Sequence, residues 1–429
     1  MNNGSRRSFL KTGAALIAGG SGAVALAGAG APAPAAPEAG NPLAGLPDMA
    51  RDARLITAQE RKQRRDKLRA TMRKLGHDAV LIEPGTTLEY FTNVKWWISE
   101  RLTAVLIPAE GDMMFVTPSF EESRLRELLE TTADVLTWEE DQDPFALIGA
   151  WLKRKGLAKG TVALDESVRH FVAHELAAAA PDVTVTSARP EVTRCRVIKS
   201  AAEIALMQLA SDITIRAYRT VYPMIERGMG REDIVRLMYQ AQAQLGADSP
   251  AGGAQIGKGS ALPHGSTIPE FVDDGVVVLM DFGCSVGGYR SDISRTFVFG
   301  EADAHQVAVW NHVRKGQEIA FATAQPGTPA GEVDVAVRRY YEKAGYGPDY
   351  RLPGLSHRTG HGIGMDVHEP INFVRNEQTP LAPGMCLSNE PGIYIPGRYG
   401  VRLEDCVYIT EQGPRWFSQP PPSIEQPMA

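Results

Sequence analysis

The sequence predicts an α+β fold: a smaller α/β domain over residues 51 to 190, then a larger domain over residues 195 to 425 made of two facing α+β halves. Three observations carry this expectation. Helix-period stretches alternate with short apolar runs up to about residue 190. Beyond that point the chain weakly repeats itself. Each repeat unit then leads into an apolar, strand-like block holding two carboxylates, Asp281 with Asp292 and Glu390 with Glu404.

The first domain begins with a helix over residues 57 to 76. Thr57 and Glu60 fit a capping box, Leu68, Met72 and Leu75 recur at helical spacing, and Gly76 ends it. "DAVLI", "LTAVLIP" and "MMFVTP" read as buried strands, and "SFEESRLRELLE" as a helix. "NVKWWISERL" reads as a half-buried strand whose paired tryptophans pack core and surface. The larger domain opens on "RVIKSAAEIALMQLASDITIRAYRTVYPMI", a long amphipathic stretch. Its repeat pairs "RGMGREDIVRLMYQAQAQLGA" from Arg227 with "PGTPAGEVDVAVRRYYEKAGY" from Pro326, each a turn followed by an amphipathic helix.

Residues 1 to 36 stand apart. "SRRSFLK" precedes a run of small apolar residues, which is the order of a twin-arginine export leader and is too weakly hydrophobic for a stable membrane anchor. Cleavage is expected between Ala27 and Ala36, leaving residues 37 to 50 as a flexible lead-in and the mature chain in the periplasm or secreted. The whole chain has a net charge of −6, and losing the leader's Arg6, Arg7 and Lys11 takes it to −9. Such a balance, with no dense basic run, gives no sign of nucleic-acid binding. The four cysteines (Cys195, Cys284, Cys386, Cys406) are widely spaced with no CxxC pair, and Cys284, Cys386 and Cys406, in or beside apolar runs, read as buried thiols.

The chemistry concentrates in three places. In "VVVLMDFGCSVGGYRSDISRTFVFG" an apolar strand ends at Asp281, glycines 283, 287 and 288 turn it, and the return strand from Tyr289 carries Asp292. "MCLSNEPGIYIPGRYGVRLEDCVYIT" repeats the design with Glu390 and Glu404. "HRTGHGIGMDVHE" lies between them and holds three of the nine histidines: His357, His361 and His368. Each residue alone reads as a cap, a surface ion pair or a satisfied polar group. Together they place four carboxylates in or at apolar runs, where only cations make their convergence tolerable. Carboxylate-rich ligation with one imidazole suits Mn²⁺, Co²⁺, Fe²⁺ or Zn²⁺. His361, between Gly360 and Gly362, has room to approach an ion, and His264, in the loop "LPHGSTIP", is an acid/base or substrate-holding candidate.

"DFGCSVGGYRSDISRTF", "HRTGHGIGMDVHEP", "NEPGIYI" and "GVRLED" together resemble the pita-bread metallopeptidases of family M24, most closely the Xaa-Pro branch of aminopeptidase P and prolidase. The resemblance implies a pita-bread catalytic domain preceded by a creatinase-type N-terminal domain, two divalent ions with Mn as first choice, a peptide substrate and a homodimer. Asp281 would chelate the first metal, Asp292 and Glu404 would bridge both, and His361 and Glu390 would hold the second. A bridging hydroxide would attack the scissile carbonyl, with Glu390 passing its proton to the leaving proline nitrogen. His264 and His368 would steady the intermediate and hold substrate, and His357 would line the proline-side pocket. Arg402, helped by Tyr394, would orient a ligating carboxylate.

Relatives on this fold do other things. Creatinase-type enzymes lack the ligands that this chain retains. Dimethylsulfoniopropionate lyases carry an added Asp where Gly283 stands, and methionine aminopeptidases usually lack the first domain. Non-catalytic binders have lost ligands. An exported amidohydrolase for a small non-proline substrate is the main alternative, because ligands fix the chemistry and not the pocket. The resemblance also offers the tryptophan pair a second role, in a loop reaching a partner subunit's site.

Overall fold

The computed structural model describes residues 43–428. The proposed leader, and the first residues of the lead-in, lie outside them. From Leu43 onward the lead-in is packed rather than flexible. Leu43 is only 3% exposed, Leu46 and Met49 lie against the same core, and the Met49 N–H donates to the Leu245 carbonyl (2.9 Å). Burying those apolar side chains is what fixes a segment whose Gly and Pro content reads as a linker.

The first domain is a six-stranded mixed sheet in the order Asp134–Trp138, Met114–Pro118, Ala104–Pro108, Ala79–Ile82, Thr161–Leu164, Thr184–Ser187. The central strands are apolar on both faces because helices cover both. The helix Ala58–Leu75 has the expected Thr57/Glu60 capping box and ends at Gly76 in the left-handed conformation (φ 73°). Residues 95 to 99 form no strand. Trp96 packs partly on the core, and Trp97, 48% exposed, stacks on it under Arg124. Aromatic stacking and a cation over the ring here replace strand pairing.

The larger domain's first helix, Ala201–Val221, starts later than the amphipathic pattern does, because Ser200 caps it in a box with Glu203. The two repeat units are the helices Arg231–Gln244 and Ala330–Lys343, of fourteen residues each. Each packs on the long helix before it, Ala201–Val221 or Ala304–Thr323. One half contributes the antiparallel sheet Ile293–Val298, Val277–Gly283, Ala251–Ile256. The other contributes Glu369–Phe373, Gly360–Gly362, Cys386–Asn389, Asp405–Thr410, Gly413–Trp416. An isolated bridge between Ser294 and Glu404 joins the halves edge to edge. Among the described residues no helix is long and apolar enough to cross a membrane, and all four cysteines are buried and free.

Candidate metal centre

Three of the four carboxylates, Asp292, Glu390 and Glu404, sit where regular pairing breaks. Asp281 lies within the strand Val277–Gly283, opposite Ser294. Asp292 is not inside the return strand but in the gap between Tyr289–Arg290 and Ile293–Val298. Gly283 belongs to the strand and not to the turn, and a Cβ there would stand 2.0 Å from the Ser291 carbonyl oxygen. The second block is two hairpins rather than one. Tyr399–Arg402 pairs with Gly392–Ile395, whereas Asp405–Thr410 pairs with Cys386–Asn389. Glu404 occupies the crossover, and the Pro391-Gly392 break leaves Glu390 just past its strand. Breaking the ladder at these positions frees the side chains to turn into the cavity between the halves.

These residues converge. Donor atoms of Asp292, His361 and Glu404 lie within 4.8 Å of one another. His361 Nε2 is 3.3 Å from Glu390 Oε1 and 3.6 Å from Asp292 Oδ2. His361 Nδ1 faces the Gly362 carbonyl (3.0 Å), which can only accept, so the proton sits on Nδ1 and the Nε2 lone pair faces the carboxylates. Gly360 and Gly362 are needed here. A Cβ at Gly360 would stand 2.1 Å from the Ser388 carbonyl oxygen, and one at Gly362 would stand 2.4 Å from that of Pro370.

Asp281 stands a little apart, accepting from Arg402 Nη2 at 2.6 Å. Arg402 also donates to Ser294 Oγ (3.0 Å) and Tyr394 Oη (3.0 Å), and its Nε is 3.8 Å from Glu404. The Tyr394 hydroxyl in turn meets His357 Nε2 at 2.8 Å. His357 Nδ1 donates to the Arg358 carbonyl (2.7 Å), which leaves Nε2 of the neutral ring as acceptor. Burial pushes the His357 and His361 imidazoles down to about 3. Burial, reinforced by Asp281 and Glu390, raises the Asp292 carboxyl well above its ordinary value. Burial and then Asp292 do the same to Glu404. Burial lifts Glu390 to about 7 against the pull of Arg402.

His264 and His368 are exposed at the lip of a cavity of about 600 Å³ that contains all five proposed ligands, Arg402 and His357. The His368 ring stands edge-on to His361, with centroids 4.2 Å apart. The proposed ligands, Arg402 and the three further histidines therefore line one cavity, and Tyr394 is buried behind it.

Comparison with known proteins decides the family. The model for metallopeptidase family M24 matches residues 205–411, and that for the creatinase/prolidase N-terminal domain matches residues 64–198. The Xaa-Pro dipeptidase of Lactobacillus helveticus is 32% identical over 360 residues, 82% of this chain and 96% of that one. This chain belongs to metallopeptidase family M24. Its fold is likewise close to the crystal structure of dipeptidase PepE from Mycobacterium ulcerans (TM-score 0.80, 29% identity, 86% and 98% of the two chains). The prolidase from Pyrococcus furiosus is also similar (TM-score 0.69, 26% identity, 82% and 99%). This M24 metallopeptidase thus has a pita-bread catalytic domain behind a creatinase-type N-terminal domain.

Two serines that sequence reasoning missed hold the proposed ligand side chains in place. Ser294 Oγ donates to Glu404 Oε2 (2.7 Å), and Ser388 Oγ accepts from the His361 N–H (2.9 Å) while lying 3.4 Å from Glu390 Oε1. Ser294 follows Asp292 by two residues and Ser388 precedes Glu390 by two, and that spacing was the available signal.

Proposed function

We propose that this M24 metallopeptidase hydrolyses the Xaa-Pro bond of dipeptides at a two-metal centre held by Asp281, Asp292, His361, Glu390 and Glu404. The observation that carries it is the convergence of four carboxylates and one neutral imidazole in one cavity. The donor set fits divalent cations. Burial and mutual repulsion drive Asp292, Glu390 and Glu404 toward protonation, and cations would reverse this. The set mixes hard oxygens with one nitrogen, which suits Mn²⁺ first, with Co²⁺, Fe²⁺ or Zn²⁺ as alternatives. When bound, such ions polarise a carbonyl and lower the pKa of water toward neutrality.

The chain's own residues do the rest. Glu390 can take up a proton at its carboxylate and return it to the leaving proline nitrogen. Arg402 holds Asp281 and, through Tyr394, the His357 ring, so one guanidinium sets both ligand side and substrate side. His264 and His368, at the cavity lip, can donate hydrogen bonds to a developing oxyanion.

The proline preference rests on the relatives' names and on chemistry: an Xaa-Pro bond lacks the N–H that general peptidases use. Preference for dipeptides rests on the Lactobacillus and archaeal relatives. The Thermotoga maritima relative is an X-Pro aminopeptidase (26% identity, TM-score 0.73), and it favours the second reading, cleavage of longer Xaa-Pro peptides. A panel of Ala-Pro, Ala-Ala and Ala-Pro-Ala-Ala with Mn²⁺-loaded protein tests this. Hydrolysis of Ala-Pro alone is expected. Cleavage of the tetrapeptide would make it an aminopeptidase P, and cleavage of Ala-Ala in preference would move the reading to a non-proline amide.

Twin-arginine export and a homodimer are part of the same proposal. They rest on Arg6-Arg7 with the small-residue run behind them, and on the resemblance, respectively. Replacing both arginines by lysine should leave the protein inside the cell, and light scattering should read two chains per particle.

A further inference from the structure

Glu369 follows His368 and has no part in the ligand set. Its side chain is nonetheless only 3% exposed and fully engaged. Lys199 Nζ donates to Oε2 at 2.8 Å, and Arg196 Nη2 to Oε1 at 2.5 Å. The backbone N–H groups of Met365 and Asp366 donate to Oε1 at 3.0 and 3.3 Å. The carboxylate therefore closes the loop from Gly364 to Glu369 on itself. Gly364 is packed against it so tightly that a Cβ would meet the carboxylate at 2.7 Å.

The two cations come from outside the loop. Arg196 ends the helix Arg189–Arg196 and also donates to Thr86 and Thr87 of the first domain (3.2 and 3.1 Å). The Lys199 N–H is fixed to the Gly384 carbonyl (2.8 Å). The chain crossing between the domains is thus tied to the loop that carries His368 over His361.

We infer that Glu369, clamped by Arg196 and Lys199, is a positioning residue that fixes His368 over the metal centre. A desolvated carboxylate with four donors has one arrangement, so the backbone of the adjacent residue is fixed as well. Releasing the clamp lets the His368 ring drift, and displacement of a transition-state donor by about 1 Å costs roughly 100-fold in rate. This rests on the proposed role of His368 as a substrate-side donor.

A double-mutant cycle with metal-loaded enzyme on Ala-Pro tests it. Glu369→Gln should lower kcat about 10- to 100-fold with little change in KM and with both metals retained. In the His368→Ala background the same change should cost less than about twofold, because Glu369 acts through His368. An equal loss in both backgrounds, or loss of metal in Glu369→Gln, overturns the inference. Arg196→Gln leaves Lys199 on the carboxylate, and it should show the same non-additivity at smaller size if Glu369→Gln fails to fold. Amide exchange at Met365 and Asp366 needs no substrate. It should speed up at least about tenfold in Glu369→Gln, and unchanged exchange refutes the clamp. If wild type cleaves no Xaa-Pro peptide, the functional reading fails while exchange still judges the clamp.

Discussion

Asp405→Ala should be among the most destabilising single substitutions in the larger domain. Asp405 is 0% exposed and its partner Arg295 is 1% exposed. The carboxylate accepts from Arg295 Nη2 (2.7 Å) and Nη1 (3.1 Å), Gln317 Nε2 (2.9 Å) and the Ser418 hydroxyl. Arg295 lies on the strand of one half and Asp405 on the strand of the other, one residue beyond the Ser294–Glu404 bridge. The pair is therefore a brace directly behind a proposed bridging ligand. Alanine leaves the guanidinium buried, with the carbonyls of Ser294, Glu404 and Gln419 as its remaining acceptors. Stranding one partner of a buried pair costs about 3–5 kcal/mol, which at about 4 kcal/mol is roughly a thousandfold in the folding constant. Urea titration followed by tryptophan fluorescence measures it, because Trp310 is buried and bonded to the Thr296 carbonyl on the Arg295 strand. Equal slopes for variant and wild type let the midpoint shift be read as free energy. Removing both charges, Arg295→Met with Asp405→Leu, should restore most of the stability. A loss below about 1 kcal/mol for Asp405→Ala, or a double variant no more stable than the single, would refute the brace.

Other expectations follow from the same contacts. His361→Ala and Glu404→Ala should lose metal in equilibrium dialysis and lose activity, whereas His264→Ala should keep its metals and lose rate. Lys199, then Arg196, hold the Glu369 carboxyl down to about 2 against its burial. That depressed value gives stability present above about pH 4.5 and lost as pH falls toward about 2, up to roughly 3 kcal/mol. The stability gap between wild type and Glu369→Gln should therefore narrow across that window in denaturant titrations. Burial pushes the Cys195 and Cys386 thiols up to about 12 and Cys284 to about 11, so a thiol-specific disulfide reagent should find no reactive cysteine in the native protein and four in denaturant.

Much of the site was legible because its chemistry is local. Carboxylates at the ends of apolar runs and a histidine between two glycines are improbable without a reason, and both reasons are geometric. Capping was equally plain at Thr57, where one hydroxyl and one glutamate spaced by three decide a helix start. The repeat foretold two helices of matching length, though not the Ser294–Glu404 bridge that brings the halves together, since that pairing spans more than a hundred residues. Strand breaks at Asp292 and Glu404 were misplaced for a related reason. An apolar run continues through each of them, and only the tertiary crossover interrupts the ladder. The packed residues from Leu43 and the Glu369 clamp escaped because their partners, such as Leu245 and Lys199, lie far away in sequence.

The most direct test of the central claim is to strip the protein with a chelator, titrate Mn²⁺ back while measuring bound metal, and follow Ala-Pro hydrolysis at each point. Activity should be absent in the stripped protein, rise with bound metal and level off at two ions per chain. Hydrolysis that persists without metal, or two bound ions that leave Ala-Pro intact, would contradict the account.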